Sequence, residues 1–130
     1  MERRIVKTDQ APAAVGPYSQ AVVCGEMVFT AGQIPMDPAT GELISGDIQA
    51  AARRVLENLD AVLRAAGSSL QHAVKLTVFM TDLSQFSAMN EVYTEFFPGE
   101  PPARSAVEVA RLPKDAIIEA EAVAVLADSA

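Results

Sequence analysis

Hydrophobic spacing along this chain changes period several times, and each change marks a new element. Arg3 to Thr8 reads as a short strand. Ala11 to Gly16 is a loop containing Pro12, and Gly16-Pro17 marks a turn. Ala21–Cys24 and Met27–Ala31 are β-rich runs on either side of Gly25-Glu26, the signature of a tight hairpin. Pro35 to Gly46 is a loop, with turn chemistry at Asp37-Pro38 and Thr40-Gly41. From Asp47 the period lengthens. Ile48, Ala51, Ala52, Val55, Leu59, Val62, Leu63 and Ala66 follow the i, i+3, i+4, i+7 spacing of an amphipathic helix. Asp47 is its expected N-cap and Gly67 its stop. Ala73–Met80 alternates, with Val74, Leu76, Val78 and Met80 on one face of a strand. A second helix, capped by Asp82 or Ser84, runs to about Phe97, and Pro98-Gly99 ends it. Its stripe is Phe86, Met89, Tyr93 and Phe97. Two strands follow, in Pro101–Val109 and Ala116–Leu126, joined by Arg111 to Asp115.

The order is β-β-β-α-β-α-β-β. It predicts an α+β fold in which two helices pack on one face of a mixed six-stranded sheet. Two helices cover one face only. Yet Ile118, Ala120, Ala122, Ala124 and Leu126 alternate with Ile117, Val123 and Val125, so the last run reads as apolar on both faces. The second face is expected to be buried against another copy of the chain.

Composition narrows the class. The 130 residues fit one domain, spanning 1–130. Half are hydrophobic and 21% are charged, which excludes disorder. The net charge of −7, with lysines and arginines scattered, favours no nucleic-acid partner. A single cysteine, Cys24, forms no intrachain disulfide and suits a reducing compartment. The segment Met1 to Lys7 lacks the apolar core of a secretory signal, and no apolar stretch reaches the roughly 18 residues needed to span a membrane. The expectation is a soluble, cytoplasmic protein.

Two charges interrupt apolar strands: Arg104 in Pro101–Val109 and Glu119 in Ala116–Leu126. A buried charge costs several kcal/mol unless it is paired. A guanidinium binds carboxylates through two parallel hydrogen bonds. The pair therefore suggests an internal ion pair, a solvated edge, or a site for a small anionic molecule. Asn90 shares the helical stripe of Phe86 and Tyr93, so it faces inward and needs partners, either loop backbone or a pocket. Tyr18 follows Gly16-Pro17 and is either packing or pocket wall. His72 and Cys24 are far apart and supply no zinc-ligand spacing, so no metal is expected. One histidine is a thin supply of bases for a serine nucleophile.

Several segments closely resemble one family. They are Gly16-Pro17-Tyr18-Ser19-Gln20, Thr30-Ala31-Gly32-Gln33-Ile34-Pro35, Pro102-Ala103-Arg104-Ser105, Val107 to Pro113, and Ile118-Glu119-Ala120-Glu121-Ala122. Together they are similar to the Rid family of reactive intermediate (enamine/imine) deaminases, and to its RidA subgroup, which keeps the arginine. The resemblance implies a chorismate-mutase-like homotrimer with clefts between subunits. It implies hydrolysis of 2-aminoacrylate-type enamines or imines to 2-oxo acids and ammonia, without a cofactor. By position, Arg104 would clamp the substrate carboxylate and Glu119 would position or activate water. Tyr18, the Gly32 backbone and Asn90 would shape the pocket. Two positions depart from the family's usual residues: Ala31 stands where serine is common, and Ala106 where cysteine is common. The first removes a polar contact and the second a thiol; neither touches the clamp or the acid. An alternative of another class is a trimeric regulator that binds metabolites or proteins through the same cleft without catalysis.

Overall fold

The computed structural model describes residues 2–129; Met1 and Ala130 lie outside the described residues. Six strands form one sheet: β1 (Arg3–Val6), β2 (Ala21–Cys24), β3 (Met27–Thr30), β4 (Ala73–Met80), β5 (Ala103–Glu108) and β6 (Ile118–Val125). Two helices, α1 (Ile48–Ala66) and α2 (Phe86–Phe96), complete the predicted order. The spatial order is β1-β2-β3-β6-β4-β5. Only β4 and β5 pair in parallel, because α2 crosses between them; every other pairing is antiparallel, so the sheet is mixed. Among the described residues no helix is long and apolar enough to cross a membrane.

The helix signals act as the spacing predicts. Asp47 accepts hydrogen bonds from the Gln49 and Ala50 N–H groups, and Gly67 closes α1 in the left-handed region at φ 94°. All eight apolar positions of the predicted α1 stripe are buried. They pack on the inner face of β6, where Ile118, Ala120, Ala122 and Ala124 are at most 3% exposed. Three alanines in a row make that strand shallow, so the helix comes down close onto the sheet. Asp82 does not cap α2 directly. It caps a short 3-10 turn, Leu83 to Gln85, which leads into Phe86. Glu108 at the end of β5 accepts from the Leu83 N–H at 2.9 Å, which fixes the start of α2 against that strand.

Two expectations are corrected. Val74 does not join the inner face of β4; it falls at a bulge between Ala73 and Lys75 and is 44% exposed. The outer face of β6 is not apolar throughout, since it carries Glu119 and Glu121 before Val123 and Val125. Ile117 and Leu126, which extended the apolar reading, lie outside the strand. An apolar row still crosses the outer face. Ile5 opposes Val22, Val22 opposes Phe29, and Phe29 opposes Val123. Ile5 and Phe29 remain about half exposed in the single chain.

Buried polar side chains tie the loops down. Asn58, fully buried on α1, donates to the carbonyls of Ile34 and Met36 at 3.1 and 2.9 Å and accepts from Arg54 Nε. Gln20 holds the loop before β2, accepting from Thr8 N–H and donating to the carbonyls of Thr8 and Pro12. Replacing Asn58 by leucine keeps the volume but strands two carbonyls and a guanidinium. Asn58→Leu is expected to lose about 1–3 kcal/mol of stability in urea unfolding. A midpoint and slope equal to those of the parent would show that the latch contributes nothing.

Candidate functional site

The five residues singled out from the sequence fall into two groups on opposite faces of the sheet. Arg104 pairs with Leu76 across β5 and β4, so it points to the helix side, with the core. Glu119 pairs with Phe79 across β6 and β4, so it points to the outer side. Strand β4 stands between them. Register and strand order together therefore rule out an internal Arg104–Glu119 ion pair. Neither residue has an ion-pair partner among the described residues.

The outer group centres on Glu119. After Phe29 pairs with Val123, the β3–β6 ladder opens, and the chains meet again only at Gln33 and Ala120. Three residues on one side (Thr30, Ala31, Gly32) thus face two on the other (Glu121, Ala122), a bulge beside the Glu119 side chain. Thr30 Oγ1 fills part of the gap, accepting from Ala122 N–H at 3.0 Å. Gly32 then crosses directly over the carboxylate of Glu119. A Cβ there would overlap Oε2 and stand 2.8 Å from Cδ, so any side chain would push the acid aside. Asn58 fixes the same loop two and four residues further on, at Ile34 and Met36.

Glu119 opens into a cavity of about 510 Å³ whose wall includes Tyr18, Val15, Gly32, Ile34, Pro113 and Lys114. Tyr18 is half exposed at its rim. Lys114 and Asp115 both hold positive φ, 56° and 59°, uncommon for residues with a Cβ. Burial pushes the Glu119 carboxyl above its ordinary value of 4.5, and the neighbouring charge of Glu121 adds to the effect. This is the change that suits a carboxylate to take a proton near neutral pH.

The inner group centres on Arg104. Its Nη1 donates to Asn90 Oδ1 at 2.6 Å, so the Asn90 side chain holds the guanidinium rather than loop backbone. The guanidinium carbon lies over the rings of Phe86 and Tyr93, at 5.1 and 4.6 Å from their centres. Arg104 and Asn90 line a second cavity, of about 630 Å³, with Thr94, Pro98, Pro101 and Pro102. The arginine is half-buried and carries its charge without a carboxylate, which leaves donors for an anion from outside the chain.

Sequence reasoning missed Asn58, Lys114 and the arginine-binding role of Phe86 and Tyr93. Asn58 carried the signal already used for Asn90: a polar residue in the phase of Val55 and Val62 on an apolar stripe. Lys114 had no such signal, since its backbone angle is set by the loop. His72 bonds Ser69 Oγ through Nδ1 at 2.9 Å at the entry to β4, a local turn contact. Among the described residues no three His, Cys, Asp or Glu side chains gather closely enough to hold a metal ion.

Known proteins share this arrangement of elements. A family model described as endoribonuclease L-PSP matches residues 8–126. The crystal structure of Escherichia coli TdcF with bound serine superposes with a TM-score of 0.90 at 52% identity, covering 94% of this chain and 98% of that one. A Yersinia pestis protein of the conserved Rid family superposes at 0.94 with 43% identity, covering 96% and 100%. The 2-iminobutanoate/2-iminopropanoate deaminase of Capra hircus is 46% identical over 123 residues, 95% of this chain and 90% of that protein. With residues 8–126 matched by the family model and each of these relatives covered over 90% or more of its length, the chain belongs to the Rid family, the reactive intermediate deaminases.

Proposed function

We propose that this chain hydrolyses small 2-imino acids, 2-iminopropanoate and 2-iminobutanoate among them, in a cleft shared by two subunits of a homotrimer. One observation carries the reading: a half-buried arginine, held by Asn90 and free of any carboxylate, on the opposite face of the sheet from an acid with a raised pKa. A single chain cannot bring these groups to one substrate. A second copy can, if the helix-side edge of one subunit, at β5, meets the outer face of the next. Such a contact joins unlike surfaces, which form a ring when the rotation between neighbours closes. The row Ile5–Val22–Phe29–Val123 supplies the apolar area for that contact. Three-fold closure agrees with the trimer that the family resemblance implies.

The chemistry needs few groups. Arg104 takes the carboxylate of the substrate in two parallel hydrogen bonds and fixes the C=N bond relative to Glu119. The substrate nitrogen is protonated, so its carbon is electrophilic. Glu119 accepts a proton from water as the oxygen adds to that carbon, giving a tetrahedral amino alcohol. The same proton returns to nitrogen, and ammonia leaves as the hydroxyl oxygen forms the C=O bond of the 2-oxo acid. Glu119 takes the hydroxyl proton and passes it to the departing ammonia, which leaves as ammonium. An enamine such as 2-aminoacrylate enters the sequence after tautomerising to its imine. The net charge of −7 gives no support to the ribonuclease activity in the family model's description.

Arg104→Lys keeps the charge but not the fork. It is expected to lower kcat/KM on freshly generated imine by about two orders of magnitude while circular dichroism stays that of the parent. Full activity in the folded variant would remove the clamp assignment.

Glu119 predicts the pH profile. In the free protein, burial first and then the charge of Glu121 hold this carboxyl above its ordinary value. Turnover needs the ionised form and is lost as pH falls through that value. The acid limb of kcat/KM, corrected for spontaneous hydrolysis, is expected to lie above the ordinary carboxyl value of 4.5 and to vanish in Glu119→Gln. The glutamine variant should lose turnover and retain affinity for a 2-oxo acid by calorimetry. Equal loss of both would make Glu119 architectural.

Sedimentation equilibrium at micromolar concentration is expected to give three times the 13.7 kDa chain mass. A monomer would refute the shared cleft, and a dimer would refute the three-fold ring.

A further inference from the structure

Arg104 lies on an edge strand, where a long side chain is ordinarily free to swing into solvent. Here one helix stripe holds it. Phe86, Asn90 and Tyr93 are spaced i, i+4, i+7 on α2, so the amide sits at mid-stripe with an aromatic ring on either side along the helix. The guanidinium meets all three: Asn90 at one N–H and the two ring faces at its carbon. Tyr93 is 6% exposed, and its ring packs in turn on Phe97, with centres 4.7 Å apart, so this wall is anchored in the core. The Tyr93 hydroxyl is buried without a hydrogen-bond partner among the described residues. The ring, and not the hydroxyl, is what the arginine meets.

We propose that Phe86 and Tyr93 are positioning residues of the clamp: they hold the guanidinium plane, Asn90 takes one donor, and the remaining in-plane donors form an edge that meets both oxygens of a carboxylate. This rests on the reading of Arg104 as a carboxylate clamp. The rings attract the cation through their electron-rich faces and remove the rotamer freedom that a ligand would otherwise have to freeze.

The test reads the arginine directly. In a nitrogen-15 spectrum, the Arg104 Nε signal is the one absent from Arg104→Lys. In the parent it is expected to be displaced by ring currents, with slow rotation about Nε–Cζ. Phe86→Leu, at a half-buried position that tolerates the change, should relax both features. It should also raise the Kd for 2-oxobutanoate and the KM for imine about tenfold, with kcat within about twofold. Tyr93→Leu should do the same, and Tyr93→Phe, which restores the ring, should recover the signal and the affinity. In an Arg104→Lys background, Phe86→Leu should change Kd no further. An unshifted Nε signal and parent Kd in Phe86→Leu would overturn the proposal. So would a Tyr93→Phe variant as weak as Tyr93→Leu, or a further loss of Kd on adding Phe86→Leu to Arg104→Lys. If the parent neither binds 2-oxobutanoate nor consumes imine, the clamp reading fails, and the spectrum alone still decides whether the rings hold the arginine.

Discussion

Strand β6 serves two neighbours at once. Its inner face must lie flat enough for α1 to close over it, which Ala120, Ala122 and Ala124 permit. Its outer face carries Glu119, which the Gly32 backbone crosses at contact distance. Alternation along one strand therefore separates the two demands by a single residue. A one-residue slip of register would bring Glu119 under α1 and turn the alanines outward, destroying core and site together. The long β4–β6 ladder, running from Ala73/Ala124 to Met80/Ile118, is what prevents it.

Each of the two groups is held by a side-chain amide rather than by apolar packing alone. Asn58 fixes the loop over Glu119, and Asn90 fixes Arg104. Both amides project from helices, the most rigid elements at hand, toward groups that would otherwise move. A buried amide such as Asn58 is costly unless its bonds are made, so it tolerates one arrangement of its neighbours and penalises the rest. A leucine in either position would pack as well and specify less.

Both charged groups sit away from their optimum for stability. Arg104 is half-buried without a carboxylate, and Glu119 is desolvated beside another acid. Neither arrangement helps a lone chain fold. Both become reasonable when an outside carboxylate meets the arginine and an outside proton meets the glutamate. A cost left standing in the free protein and relieved by a ligand is the pattern expected of a functional site.

The sequence by itself determined the elements and most of the core, because periodicity is a local property. The α1 stripe, its Asp47 cap and Gly67 stop, the Gly25 hairpin turn and the six strands all follow from spacings within a few residues. It also marked Arg104, Glu119 and Asn90, since a polar group in an apolar stripe stands out wherever it lands. It did not determine which of them meet. Arg104 and Glu119, near neighbours in the chain and on consecutive strands, end on opposite faces with β4 between them. Strand order and facing depend on the α2 crossover and on the register of residues far apart in sequence, which no local pattern records. The bulge at Gly32, the exposed Val74 and the left-handed Lys114 were hidden for the same reason: each arises where distant segments must be reconciled, and only the assembled sheet sets those terms.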